Sequence, residues 1–530
     1  MNDTERRACP PFDFSRMQTL PDLLSYHAEI RPDDIALEFE GRSTTFAEFR
    51  RRSGLLAASL KQLLPEPGRR IGYLGKNCDR YFELLFAAAR AGLVLVPLNW
   101  RLAQDEWAFI LQDARVEQLF VDDLFELQAG ALTQRLGMRP ALSLANDPSW
   151  SRLLAPPEGD PVAQPVGADD VVLQIYTSGT TGTPKGAMLS HANLLALREP
   201  GLRAGLSWFP RPGDASLVVM PVAHIAGTAY GLFGLHSGGR LVLDREFDPP
   251  KVWSLLEHRG ISHMLLAPTA LRMLLEHPSA STGHAPQLRY VTYGGSPISP
   301  DQLARSVARL ACSFTQMYGL TEASGGAVAL TPDDHRDAIP ERLASAGRAM
   351  LGVELAIVDR EGRSLPAGNI GEIVVRSRAV MAGYWQRPEA TLEAIDSAGW
   401  MRTGDIGVLD ADGYLSVRDR AKDTIVTGAE NVYPLEVENV LLRHPDVADA
   451  AVIGVPSERW GEAVKAIIVP RLGVTIDAAG LIAWARTRIA SYKAPKSIEV
   501  VDELPRNLNG KVLRRVLREP YWRGQARSVG

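Results

Sequence analysis

The chain has 530 residues, of which 45% are apolar and 23% charged, and its formal net charge is −4. Single cores stop growing at roughly 250–300 residues, so two or more domains are expected in a chain of this ordinary globular composition. With near-neutral charge and no basic block or aromatic-studded basic stripe, no nucleic-acid partner is expected.

The start, MNDTERRACPPFDF, lacks an apolar stretch typical of a secretory signal. Thr45 and Glu48 read as a capping box opening a helix, with Phe49, Leu56, Leu60 and Leu63 on one face. A short strand at 71–74, a helix at 80–91 and an apolar strand at 93–97 follow. The best candidate for a membrane span, LLFAAARAGLVLVPL, lies here. Arg90 and Pro97 interrupt it, and it falls short of about 20 apolar residues. Cys9, Cys78 and Cys312 are far apart with no CxxC pair. They suggest neither a disulfide framework nor a zinc site, and a reducing cytoplasm is the default compartment.

Strands at 171–176, 216–220, 240–243, 261–267 and 288–293 alternate with helices such as 252–258 and 270–277, a pattern of α/β layering. After about residue 350 the texture turns β-rich. Runs at 355–358 and 373–376 lie between turns, and Asp412-Gly413 between Val408-Leu409 and residues 414–417 reads as a hairpin. Beyond residue 423, a helix at 434–443, strands at 450–455 and 463–469 and a helix at 478–489 read as a separate α/β unit of about 110 residues. The boundary is placed at 419–423, the charged segment DRAKD.

Residues 176–186 read YTSGTTGTPKG. Glycines bring backbone N–H groups close to an anion, hydroxyls add donors, and Lys185 adds a cation. After an apolar strand this reads as a phosphate cradle, against the plainer alternative of a polar loop. It is neither a GxxxxGK[ST] loop nor a GxGxxG turn. Further along, YGLTEA (318–323) offers an aromatic for a base, a hydroxyl for a phosphate and Glu322 for a hard cation. RTGDIG (402–407) offers Asp405 to ribose hydroxyls, or an Asx turn. PRNLNGKVLRR (505–515) places Lys511 after an Asn-Gly turn.

In this order, TSGTTGTPKG, YGLTEA, TGD, DRAKD…ENVYPLEVE and the final GK segment resemble the adenylate-forming enzymes, a family of acyl-CoA synthetases, peptide-synthetase adenylation domains and beetle luciferases. The resemblance spans about residues 20–520. It implies an α/β fold: a large N-terminal domain of two α/β halves plus a small β-barrel, and a smaller mobile α+β C-terminal domain. The limits are then 1–418, a hinge at 419–423 and 424–530. It also implies two half-reactions. A carboxylate attacks the α-phosphate of ATP with Mg²⁺, giving an acyl-adenylate and pyrophosphate, and the thiol of coenzyme A then displaces AMP.

By motif position the resemblance assigns Thr177, Ser178, Gly179, Thr180, Thr181, Gly182 and Lys185 to the phosphate loop. Gly294, Gly295 and Ser296 form a strip under the adenine, and Tyr318 stacks on it. Thr321 meets the α-phosphate, Glu322 carries Mg²⁺, and Asp405 and Arg420 hold the ribose. Lys511 bridges carboxylate and phosphate, Lys422 is the hinge, and Gly428 lies near the thiol tunnel. Ala429 departs from the family's usual second glycine. His224 sits near the substrate carboxylate.

Ala223, Ala226 and Gly227, with Ala229, suggest an apolar pocket with spare volume, or simply close helix packing. No charged residue lies between Pro221 and Ser237 to meet an ammonium group. A hydrophobic carboxylic acid is therefore expected, first a medium- or long-chain fatty acid, then a bulky aryl, alicyclic or steroid-side-chain acid. The alternatives are an acyl-AMP ligase loading a carrier protein and a non-catalytic nucleotide-binding regulator. The basic tail (Arg514, Arg515, Arg518, Arg523, Arg527) reads as a solvated face or a weak peripheral contact to anionic lipid. The oligomeric state is left open.

Overall fold

The computed structural model describes residues 12–144, 148–155, 165–177, 184–337, 339–420, 423–427, 430–506 and 512–523. Two large sheets carry the N-terminal part. One has nine strands, in the order Arg348–Ala349, Val328–Leu330, Ser313–Tyr318, Tyr290–Gly294, His263–Leu266, Ala215–Val218, Arg240–Leu243, Ile35–Phe39 and Arg42–Thr45. Its middle strands are parallel. The other has seven: Gly383–Tyr384, Lys185–Ser190, Val171–Thr177, Val94–Leu98, Arg70–Leu74, Val116–Val121 and Leu142–Ser143. Alternating strand and helix produce this layering because each parallel crossover needs a helix to cover the sheet.

The main core lies on helices Leu20–Ile30, Phe46–Leu63, Asp79–Ala91 and Ile225–His236. Helix Phe46–Leu63 is capped by Thr45, whose side chain accepts from the Glu48 N–H, and Phe49, Leu56 and Leu60 are buried as expected. The capping box is only half made, because the Glu48 carboxylate turns to Arg51 at 2.7 Å. The apolar run weighed as a membrane span is the buried helix Asp79–Ala91 and the strand Val94–Leu98. The run's one charge, Arg90, is exposed, and just before the run Glu83 pairs with Arg52 at 2.6 Å and Asp79 with Arg42 at 2.9 Å. Among the described residues no helix is long and apolar enough to cross a membrane.

A four-stranded antiparallel sheet follows, in the order Val353–Val358, Gly371–Ser377, Met401–Leu409 and Leu415–Arg420. The expected hairpin pairs Leu409 with Leu415, and Gly413 takes the left-handed φ of +81° that its turn needs. The last sheet holds Glu430–Val432, Ile425–Thr427, Gly461–Pro470, Val447–Ser457 and Ser497–Val500. It packs helices Pro434–Leu441 and Ala478–Arg486 around its own core. The chain is thus a mixed α/β protein with a large N-terminal and a smaller C-terminal domain.

Candidate active site

Parallel strands expose their carboxyl ends at one edge, and the loops that leave them gather functional side chains there. Gly294 and Tyr318 end two neighbouring parallel strands, with Gly294 in register with Met317. A Cβ on Gly294 would lie 2.2 Å from the Met317 carbonyl oxygen, so only glycine permits this close approach. Gly295 and Ser296 continue outward, exposed and half-buried.

The hydroxyl of Tyr318 donates to Asp405 Oδ2 at 2.6 Å. Arg420 Nε meets the other oxygen, Oδ1, at 2.7 Å. The aspartate that looks isolated in the sequence is therefore held from two sides, and strand pairing explains how, since Asp405 and Arg420 are register partners. Burial and the adjacent carboxylate push the Tyr318 phenol well above its usual range, so it stays a donor. Each carboxylate oxygen retains a free lone pair for a further hydroxyl.

A second group forms where strands Val171–Thr177 and Lys185–Ser190 face each other, with Thr177 and Lys185 in register. Thr177 Oγ1 donates to Glu322 Oε1 at 3.1 Å, and so does the Tyr384 hydroxyl at 2.9 Å. Lys185 Nζ lies 5.2 Å from the centre of the Tyr384 ring. Glu322 and Thr321, the latter buried, lie on the short turn Thr321–Ala323. The two groups adjoin, for Arg420 feels the charges of both Asp405 and Glu322.

Tyr384 escaped the sequence reading. Its only signal there is an aromatic beside Gly383, and the short strand that seats it against Met188 and Ala187 is visible only in three dimensions.

These side chains suit a nucleoside triphosphate. They combine an aromatic ring, a carboxylate with free lone pairs, two cations and two hydroxyls. Asp405 is engaged by Tyr318 and Arg420, while Glu322 accepts hydrogen bonds at Oε1 and none at Oε2 among the described residues, which leaves Oε2 for a divalent ion. One protein carboxylate suits Mg²⁺, which keeps several waters and takes the rest of its ligands from phosphates. Ser178, Gly179, Thr180, Thr181, Gly182, Lys422, Gly428, Ala429 and Lys511 lie outside the described residues.

His224 caps helix Ile225–His236, and its Nδ1 accepts from the Ala226 N–H at 3.2 Å. Burial lowers the imidazole to about 4, leaving a neutral ring with its proton on Nε2. Ala223 is buried and Ala226 half-buried at the start of this helix. Gly227 departs from the expectation of spare volume. Its Cβ would lie 2.4 Å from the Pro221 carbonyl oxygen, so its smallness serves backbone packing. The basic tail is also corrected in part, for Arg514 and Arg518 are turned inward onto carboxylates and are neither solvated nor open to lipid.

Residues 24–385 match the model of the AMP-binding enzyme family, and residues 436–511 match that of the AMP-binding enzyme C-terminal domain. The fatty acid–[acyl-carrier-protein] ligase ScoC of Streptomyces coeruleorubidus is 40% identical over 97% of this chain and 98% of its own. A feruloyl-CoA synthase of an Amycolatopsis species is 39% identical over 93% and 97%. MatB from Rhodopseudomonas palustris is 30% identical over 95% and 99%, with a TM-score of 0.86 in its ATP-bound crystal structure and 0.76 in its apo structure.

Proposed function

The chain belongs to the AMP-binding enzyme family, and from that premise we propose that it activates a hydrophobic carboxylic acid, a medium- or long-chain fatty acid first, and transfers the acyl group to coenzyme A. It is an AMP-forming acid–thiol ligase that uses ATP. The observation that supports the ATP-dependent step is the convergence of Tyr318, Asp405 and Arg420 with Thr177, Lys185, Glu322 and Tyr384, brought together from three sheets.

In this reading Tyr318 stacks on adenine over Gly294, Gly295 and Ser296, and Asp405 and Arg420 take the ribose hydroxyls. Lys185, Thr177 and the loop 178–182 hold the β- and γ-phosphates, and Thr321 meets the α-phosphate. Glu322 would hold Mg²⁺, which supplies charge neutralisation on the phosphate oxygens. Neutral His224 presents Nε2–H to the incoming carboxylate and cannot compete as a base near pH 7. Lys511 bridges carboxylate and phosphate in the first half-reaction. The C-terminal domain, 424–530, then turns about Lys422 within 419–423, withdraws Lys511 and opens a thiol path at Gly428. The uncharged run 221–237, with small residues at 223 and 226, supports an apolar acid.

The relationship to ScoC favours a second reading in which a carrier-protein thiol is the acceptor, and that to the feruloyl-CoA synthase favours an aryl acid. One experiment separates them. The protein is incubated with ATP, Mg²⁺ and acetate, octanoate, palmitate, benzoate, a cinnamate or a bile-acid side chain, with and without coenzyme A. Pyrophosphate and thioester are measured, with Lys511→Ala in parallel. Acyl-CoA from an apolar acid, with Lys511→Ala losing pyrophosphate release but still converting supplied acyl-adenylate, supports the proposal. Pyrophosphate without thioester moves the acceptor to a carrier protein. Silence across the panel refutes the apolar-acid reading.

A further inference from the structure

The residue next to Arg420 faces the other way. Successive side chains on a strand point to opposite faces, so while Arg420 turns to Asp405, Asp419 turns to the C-terminal domain. There Asp419 Oδ2 accepts from the backbone N–H of Leu435 at 2.8 Å, in the first turn of helix Pro434–Leu441. Asp419 Oδ1 lies 3.6 Å from Arg514 Nη1.

Arg514 opens the helix Arg514–Trp522 and is only 12% exposed. Its guanidinium serves three carboxylates. Nη2 meets Glu438 Oε2 at 2.7 Å, and Nη1 lies 3.7 Å from Asp423 Oδ2 as well as close to Asp419. Arg518 holds the other oxygen of Asp423 at 2.8 Å. Glu438 is fixed further by the Val452 N–H at 2.8 Å.

These contacts divide by domain. Asp423, Glu438, Leu435, Arg514 and Arg518 all follow residue 422. Asp419 precedes it, on the strand that carries the ribose-binding arginine. Rotation about 422 carries the first set as one body, so within this charged cluster it is the Asp419 contacts that must part, along with the bonds of Thr424 to the Arg420 carbonyl.

We propose that Asp419 is a positioning residue, a latch that holds the C-terminal domain in the arrangement described and so favours one half-reaction over the other. This rests on the two-step, hinged reading above. The chain as a whole gives a TM-score of 0.86 with ATP-bound and 0.76 with apo MatB, and the half-reaction favoured is taken as adenylation. Arg514 joins the latch to Lys511, three residues earlier in the chain. Because Asp419 and Arg420 are adjacent on one strand, nucleotide held by Arg420 steadies the latch residue as well.

The test uses the full chain with Asp419→Asn, which keeps an oxygen for the Leu435 N–H but removes the charge facing Arg514, and with Asp419→Ala. Three readouts are compared with the parent. They are ATP–pyrophosphate exchange with an accepted acid, thioester formation from supplied acyl-adenylate, and energy transfer between one dye on each domain. Asp419→Asn is expected to lower exchange about tenfold, the factor that a modest shift in conformer population gives. Thioester formation should hold or rise, the unfolding midpoint should stay close to the parent's, and the transfer distribution should shift away from the ATP-bound arrangement. Equal loss in both half-reactions, or an unchanged transfer distribution, overturns the latch. If the parent itself gives no exchange with any acid, the functional reading fails, and the transfer distribution alone still decides whether Asp419 sets the domain arrangement.

Discussion

Replacing Tyr318 by Phe removes one hydroxyl and keeps the ring. That hydroxyl donates to Asp405 at 2.6 Å. A hydrogen bond to a charged partner contributes roughly 1.5–3 kcal/mol net. Asp405 keeps Arg420 at 2.7 Å, so its charge is not orphaned, and the loss belongs at the low end, about 1.5 kcal/mol. A cycle of Tyr318→Phe, Asp405→Asn and the double variant isolates the pair. It is read by denaturant unfolding without nucleotide and by the ATP dependence of pyrophosphate exchange. If the pair fixes the ring for the base, about 1.4 kcal/mol appears as a tenfold rise in KM for ATP, while kcat moves much less. A coupling energy within about 0.5 kcal/mol of zero in both assays, the ordinary additivity of independent sites, would refute the claim that Asp405 holds the ring.

Three further outcomes follow from the geometry. Gly227→Ala drives a methyl group into the Pro221 and Met220 carbonyls and should destabilise the chain by about 1–3 kcal/mol. A change of acid preference at unchanged stability would instead restore the pocket-volume reading of that glycine. Glu322→Gln removes the carboxylate charge between Thr177 and Tyr384, and the Mg²⁺ concentration for half-maximal exchange should rise about tenfold or more. An unchanged Mg²⁺ curve refutes that role. Burial lowers His27 to about 3, and His191, His224 and His263 to about 4, from the ordinary 6.5. The unfolded chain therefore binds protons that the folded chain refuses. Stability is full above about pH 6.5 and is lost as the pH falls toward 4, at about 1.4 kcal/mol per group per pH unit as an upper bound. An unfolding midpoint that stays flat between pH 7 and 4.5 would contradict this.

The layered fold was readable because hydrophobic period and turn chemistry are local. The strand at 240–243 needs no distant partner to be recognised, nor does the Asp412-Gly413 hairpin. What depends on distant partners was not readable. Glu48 matches a capping box by spacing, yet Arg51 outcompetes the backbone for its carboxylate. Gly227 appears among small residues that suggest free space, but a carbonyl 2.4 Å from its virtual Cβ occupies that direction. Tyr384 has no motif of its own, and only a strand pairing almost 200 residues back in the chain, at Ala187, brings it to Glu322. Arg514 and Arg518 look like part of a charged tail because the carboxylates that bury them, Asp423 and Glu438, lie some 75–95 residues away. Motifs pointed to the residues that the family resemblance assigns to shared chemical groups; the contacts that hold those residues in place are long-range and leave no local pattern.

The strand Ile35–Phe39 carries a consequence for biosynthesis. It lies parallel to Arg240–Leu243, with Leu37 opposite Leu241, so the start of the chain completes the sheet built mainly from its middle. During translation at about 5–20 residues per second, Leu37 leaves the ribosome roughly 10–40 s before its neighbour exists. For that interval Ala36, Leu37 and Phe39, all buried in the finished protein, have the hairpin partner Arg42–Thr45 and the early helices that share their core, but lack the strand that pairs with their other edge. The nascent chain must carry this apolar hairpin through the synthesis of the entire seven-stranded sheet except its last strand, Gly383–Tyr384. Slow codons or chaperone binding before residue 240 should therefore govern the yield of native protein more strongly than the same delays placed later.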